Sequence, residues 1–254
     1  MQEVSATDSA AGVANQADAQ VEAQTHRRAL FRGRAILGVG FILLAVFALL
    51  TIIVASLKPE SFDLPVTQEV QKLSAFPLLN NLLEDVSLPG FSPWAYMFPL
   101  AIVVAWAAAR RFAEALFVAV AAAATGFADV AKVLVQRARP TEPLVHVVQN
   151  YHLDGSSFPS SHVVEYTLVF GFCFYLLFTL LHRGALRTTL LVACGLMVAL
   201  VGPSRIAMGQ HWASDVLGGY ALGLGLLLVV IWIYRGVEVR LARRQAALSQ
   251  QHTA

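Results

Sequence analysis

Charge is scarce in this sequence: 13% of its 254 residues are charged and 57% are hydrophobic, against about 25% and 45–50% in soluble domains. The shortage excludes an ordinary water-soluble domain and makes the bilayer the expected solvent. Cysteine is scarce as well. Its two occurrences, Cys173 and Cys194, fall inside apolar runs, where neither a disulfide framework nor metal-ligand spacing surrounds them, so they read as small apolar core residues. The net charge is only +2 and the basic residues sit at segment ends, which excludes nucleic acid as a partner. Strand-type alternation is missing, so helices rather than a barrel must satisfy the backbone in hydrocarbon.

What the sequence does contain is six apolar runs, at 35–57, 92–109, 112–131, 163–181, 188–203 and 214–234, each bounded by charged, Pro or Gly residues. Crossing a bilayer takes about 20 such residues in a helix. The expected fold is therefore all-α, a polytopic membrane bundle of six transmembrane helices over residues 35–234. The first run follows a long polar tail and exceeds a signal-peptide core, so it is expected to remain as an anchor. Residues 1–34 carry a polar, Ala- and Gln-rich stretch expected to be a disordered tail, and 235–254 are expected to form a basic tail. Between the first two runs, 58–91 mixes Pro and acidic residues with Phe76, Leu78 and Leu79, a pattern expected for short amphipathic helices on the membrane surface.

Basic residues set the orientation, because Lys and Arg accumulate in cytoplasmic loops. Twelve arginines, among them Arg34, Arg110, Arg183, Arg235 and Arg244, lie on the side of the two termini, against six basic residues on the other. Both termini are expected in the cytoplasm. The six on the outer side are Lys58, Lys72, Lys132, Arg137, Arg139 and Arg205.

Three sequences emerge together on that outer face. Lys132 opens a run ending in Arg139-Pro140, Pro159-Ser160-Ser161-His162 precedes the fourth span, and Ser204-Arg205 leads through His211 to Asp215. Lys132, Arg139 and Arg205 make a cationic cluster suited to phosphate oxygens. Ser160 adds a hydroxyl, and the free N–H groups around Ser161 and His162 add a helix N-terminus. His211 and Asp215, four apart at the start of the sixth helix, are expected on one face, where Asp215 holds one imidazole nitrogen protonated and frees the other to attack phosphorus. His162 is positioned to protonate the leaving group and then to activate water. The scheme requires neither metal nor cofactor. Of the remaining groups, Glu165 and Asp129 near the span ends are candidates to support His162 or meet a head group. His146 and His152 read as solvated, and Gly219 with Gly223 as a packing face.

The pattern K-x6-R-P, P-S-x-H and S-R-x5-H-x3-D over residues 132–215 resembles the type 2 phosphatidic acid phosphatase (PAP2) family of lipid phosphate phosphatases. That resemblance implies a nucleophile at His211 with Asp215 as its partner, an acid at His162, and phosphate contacts from Lys132, Arg139, Ser160, Ser161 and Arg205. The sequence departs from the family at Ser161, where Gly is usual. The implied activity is hydrolysis of an outer-leaflet lipid phosphate or diphosphate, with membrane lipids as the surroundings. A compact chain suits undecaprenyl diphosphate; phosphatidylglycerol phosphate, phosphatidic acid and diacylglycerol diphosphate are the alternatives. Phosphotransfer to an acceptor lipid is a second enzymatic reading. A small transporter or a lipid-binding protein is the non-enzymatic one, although no inverted repeat supports transport.

Overall fold

The computed structural model describes residues 33–56, 61–148 and 155–252. The polar N-terminal stretch, Lys58 and His152 lie outside the described residues. Those described are helical wherever they are regular. In chain order the helices are α1 (Gly33–Ser56), α2 (Asp63–Gln71), α3 (Pro77–Ser87), α4 (Trp94–Ala108), α5 (Phe112–Ala123), α6 (Gly126–Val135), α7 (Ser161–Leu180), α8 (Ala185–Ala207) and α9 (Ala213–His252). Short 3-10 turns follow α2 and α3.

Five helices are long and apolar enough to cross a bilayer: α1, α5 continued by α6, α7, α8 and α9. The run expected at 92–109 differs. Its helix, α4, has 15 residues, about 22 Å at 1.5 Å per residue and short of the roughly 30 Å core. It becomes a sixth span only together with the preceding helical stretch Pro77–Gly90, from which it is bent by 69°. The chain is thus a multi-pass membrane protein with five or six spans, the bent pair being either a broken span or a re-entrant loop. Large apolar side chains on the outside, such as Ile42 (64% exposed) and Val133 (71% exposed), are lipid-facing surface.

The core lies between α5, α7 and α9, where Val118, Ala121, Leu168, Phe172 and Leu222 interlock. Glycines let α9 approach: a Cβ on Gly223 would stand 2.8 Å from Thr167 Cβ, and one on Gly219 2.9 Å from Val163 Cβ. The Gly219/Gly223 face is accordingly the seam with α7.

Two stretches take a more definite form. Residues 61–91 pack against the bundle while Phe76 and Leu78 stay exposed: Ser204 on α8 donates to the Leu83 carbonyl and shares a 2.5 Å contact with Ser87, and Tyr166 Oη donates to the Val86 carbonyl at 2.6 Å. The polar groups of this stretch are what α8 and α7 need to satisfy their own. The basic tail after 234 continues α9, which runs for 40 residues to His252. Hydropathy falls at Arg235, but Ala, Leu, Arg and Gln are all good helix formers.

Candidate active site

Helix α6 ends at Gln136, whose left-handed φ of 48° turns the chain out of the span. Lys132 stands in the last helical turn, one turn beyond Asp129. The following loop is pinned from α2: Gln71 donates to the His146 carbonyl at 2.6 Å and Gln68 to the Leu144 carbonyl at 3.1 Å. Gly209, at φ +67°, packs beneath it, where a Cβ would meet the His146 carbonyl oxygen at 2.1 Å. The His146 side chain itself is 73% exposed and lies 3.5 Å from Glu142, in keeping with a solvated histidine.

This anchored loop delivers Arg139. Its Nη1 donates to the Gln210 carbonyl at 2.8 Å and lies 3.3 Å from His211 Nε2. Guanidinium groups only donate, so Nε2 is the accepting nitrogen and the ring proton sits on Nδ1. Nδ1 faces Asp215 Oδ2 at 3.6 Å and Ser157 Oγ at 3.5 Å. His211 is 1% exposed, and burial pushes its pKa down to about 4 against the opposing pull of Asp215. The imidazole is therefore neutral at pH 7, with its lone pair on Nε2.

The relation between His211 and Asp215 is not the expected i,i+4 pair within a helix. Helix α9 begins at Ala213, so His211 occupies the turn before it. That turn is closed by Trp212 N–H donating to Asp215 Oδ2 at 2.8 Å. The Asp215 carboxylate also accepts from Ser157 Oγ and from Arg137 Nη1 at 2.5 Å. Arg137 and Ser157 were not singled out from the sequence. Neither has a spacing signal, and Arg137 stands among the unspecified positions between Lys132 and Arg139.

His162 enters from the first turn of α7. Its ring meets the edge of Phe91 at 4.7 Å, and its Nε2 has no hydrogen-bond partner among the described residues. Gly90 makes room for it, since a Cβ there would fall 2.3 Å from His162 Cδ2. Lys132, Arg139, Ser161, His162 and His211 all line one cavity of about 660 Å³. Asp129 and Glu165 line the same cavity, whose remaining wall is largely apolar side chains of α4 and α5. Tyr96 and Leu100 on that wall are 76% and 61% exposed, so the cavity reaches the lipid-facing surface beside α4.

Two expected phosphate contacts stand differently. Arg205 is fully buried, donates to Ser87 Oγ at 3.1 Å and lies 4.9 Å over the Phe91 ring. It backs the cavity rather than lining it. Ser160 is likewise fully buried, its Oγ without a hydrogen-bond partner among the described residues, and its backbone N–H donates to the Asp215 carbonyl at 3.1 Å, tying the entry of α7 to the start of α9. Cys173 and Cys194 are free thiols away from this site.

The chain is similar to known proteins. A family profile described as the PAP2 superfamily matches residues 113–238. The chain is 35% identical over 105 residues to a Bacillus subtilis protein named phosphatidylglycerophosphatase B, covering 40% of this chain and 48% of that one. It thus spans about half the length of that curated relative. Among solved structures, it is similar to the crystal structure described as the first transmembrane PAP2 type phosphatidylglycerolphosphate phosphatase, from Bacillus subtilis. That likeness has a TM-score of 0.63 at 24% identity and covers 79% of this chain and 96% of the other.

Proposed function

Because the chain belongs to the PAP2 superfamily through its domain at residues 113–238, we propose that it is a membrane lipid phosphate phosphatase working through a phosphohistidine at His211. The observation that carries this reading is the neutral His211 imidazole, its accepting Nε2 turned to Arg139 in a cavity shared with Lys132 and His162.

The substrate phosphate exchanges for Nε2 as the partner of Arg139, and Lys132 takes a second oxygen. Nε2 then attacks phosphorus in line, the P–O bond to the lipid breaks, and His162 gives the departing oxygen its proton. Cations on the equatorial oxygens stabilise the transferring group. In the second step His162 removes a proton from water, the water oxygen bonds to phosphorus, and the P–N bond breaks to release inorganic phosphate and restore His211. Asp215 stabilises the positive charge His211 carries in between.

Phosphatidylglycerol phosphate is the preferred substrate. The name of the Bacillus subtilis relative supports it, and so do Asp129 and Glu165 on the cavity wall, whose carboxyl oxygens can accept from the glycerol hydroxyl. Undecaprenyl diphosphate is the second reading, the largely apolar wall being suited to its chain. The excess of arginine on the side of the termini supports an active site on the outer face.

The test is phosphate release by detergent-purified protein from a panel of these two lipids, phosphatidic acid and diacylglycerol diphosphate, with and without EDTA. Expected are turnover insensitive to EDTA, an acid-labile phosphoryl group trapped on wild-type protein, and loss of both in His211→Gln. Full activity in His211→Gln would sink the phosphohistidine.

A further inference from the structure

A buried chain of charges outside the sequence motifs ends on His211. It begins at Asp63, the first residue of α2. Asp63 Oδ1 accepts the Ser214 N–H at 2.7 Å and Oδ2 accepts the Ser214 hydroxyl at 2.9 Å. Arg137 Nη2 donates to Asp63 Oδ2 at 2.6 Å, while Nη1 donates to Ser214 Oγ at 2.6 Å and to Asp215 Oδ1 at 2.5 Å. The side chains of Arg137, Asp63 and Asp215 are 7%, 6% and 0% exposed. None of the three lines the cavity, so any effect on the reaction must pass through His211.

Charge balance gives the arrangement its meaning. Phosphoryl transfer turns His211 into a cation, which Asp215 must stabilise. A guanidinium that had only Asp215 for a partner would cancel that anion. Asp63 balances the guanidinium instead, leaving one net negative charge on the triad of Asp63, Arg137 and Asp215. A buried ion left without its partner is costly, so each member holds the others in position.

We infer that Asp63 and Arg137 are positioning residues for His211: a helix outside the matched domain at 113–238 supplies the carboxylate that keeps the charge of Asp215 available to the nucleophile. This rests on the phosphohistidine hydrolase reading above. The other charged or titratable groups facing His211 are Arg139 from the loop after α6, Arg205 from α8, Lys132 from α6 and His162 from α7, and they are common to every variant below.

The experiment compares full-length wild type, Asp63→Asn and Arg137→Gln in detergent by steady-state kinetics and by 15N-histidine NMR, the His211 signal being assigned by its loss in His211→Gln. Both variants are expected to lose about a hundredfold in kcat with KM within about twofold. The His211 titration should move in opposite directions: to lower pH in Asp63→Asn, which removes an anion, and to higher pH in Arg137→Gln, which removes a cation. Merely loosened packing would shift both the same way, and that result, or an unchanged kcat in Asp63→Asn, overturns the inference. Should either neutral variant fail to fold, Asp63→Glu and Arg137→Lys keep the charges while altering the geometry. They are expected to lower kcat and leave the titration of His211 in place, and a displaced titration in these overturns the inference. Wild-type protein that releases no phosphate from any lipid counts against the hydrolase reading alone, because the NMR shifts still decide the relay.

Discussion

A nucleophilic imidazole must be unprotonated, and burial enforces that at His211, whose pKa is pushed down to about 4. Protonation below that value removes the lone pair on Nε2. The part of the kcat/KM profile that belongs to His211 should therefore fall on the acid side of about pH 4, by about tenfold per unit, superposed on the titration of the acid His162. Initial rates across an acid-to-neutral buffer series check this; a limb near 6.5, the value of a solvated imidazole, would contradict the buried neutral ring. Gly90→Ala probes the second histidine. Its methyl would stand 2.3 Å from His162 Cδ2 and 2.8 Å from Nε2, so the ring must move, and a displaced acid is expected to cost about a hundredfold in kcat. Thermal melting should show the fold intact. At this scale the sequence was readable wherever residues announce themselves by local spacing, as His211, Asp215, His162, Lys132 and Arg139 do. Arg137 and Asp63 were not, because a buried pair 74 residues apart leaves no periodic trace. Arg205 was legible as a cation, but its seat over Phe91 depends on where α3 ends.

Helix α3 is held to α8 by polar groups as well as apolar ones, and Ser204 is the fulcrum, bonded to the Leu83 carbonyl and to Ser87. Ser204→Ala should destabilise the protein by about 1–3 kcal/mol by stranding buried partners, read as a lower melting temperature in detergent. The α7–α9 seam makes a sharper demand. Gly223→Leu forces side-chain atoms into Thr167 and should lower both melting temperature and activity. Gly236→Leu, at a position with nothing within 4 Å, should change neither. Hydropathy located the long helices well because spanning a bilayer demands a long apolar run. It overstated α4 slightly, since Pro93 and Ala109 extend the apolar run without being part of its helix. The apolar run at 214–234 marks where the last helix leaves hydrocarbon, and the helix continues beyond it.

For the molecule as a whole, arginine distribution predicts the side of the membrane on which the chemistry happens. With Cys173 and Cys194 replaced by Ala, Thr141→Cys in the exposed loop beside the site should react with a membrane-impermeant maleimide in intact cells. Ala185→Cys at the opposite end of α8 should react only after the cells are opened, and the reverse pattern would invert the topology. The cavity's reach to the surface beside α4, where Tyr96 and Leu100 stand largely exposed, has a kinetic consequence. A substrate arriving through that gap is drawn from a two-dimensional solution. In mixed micelles or vesicles the rate should follow the mole fraction of lipid phosphate in the amphiphile, so that adding inert lipid slows the enzyme at constant bulk substrate.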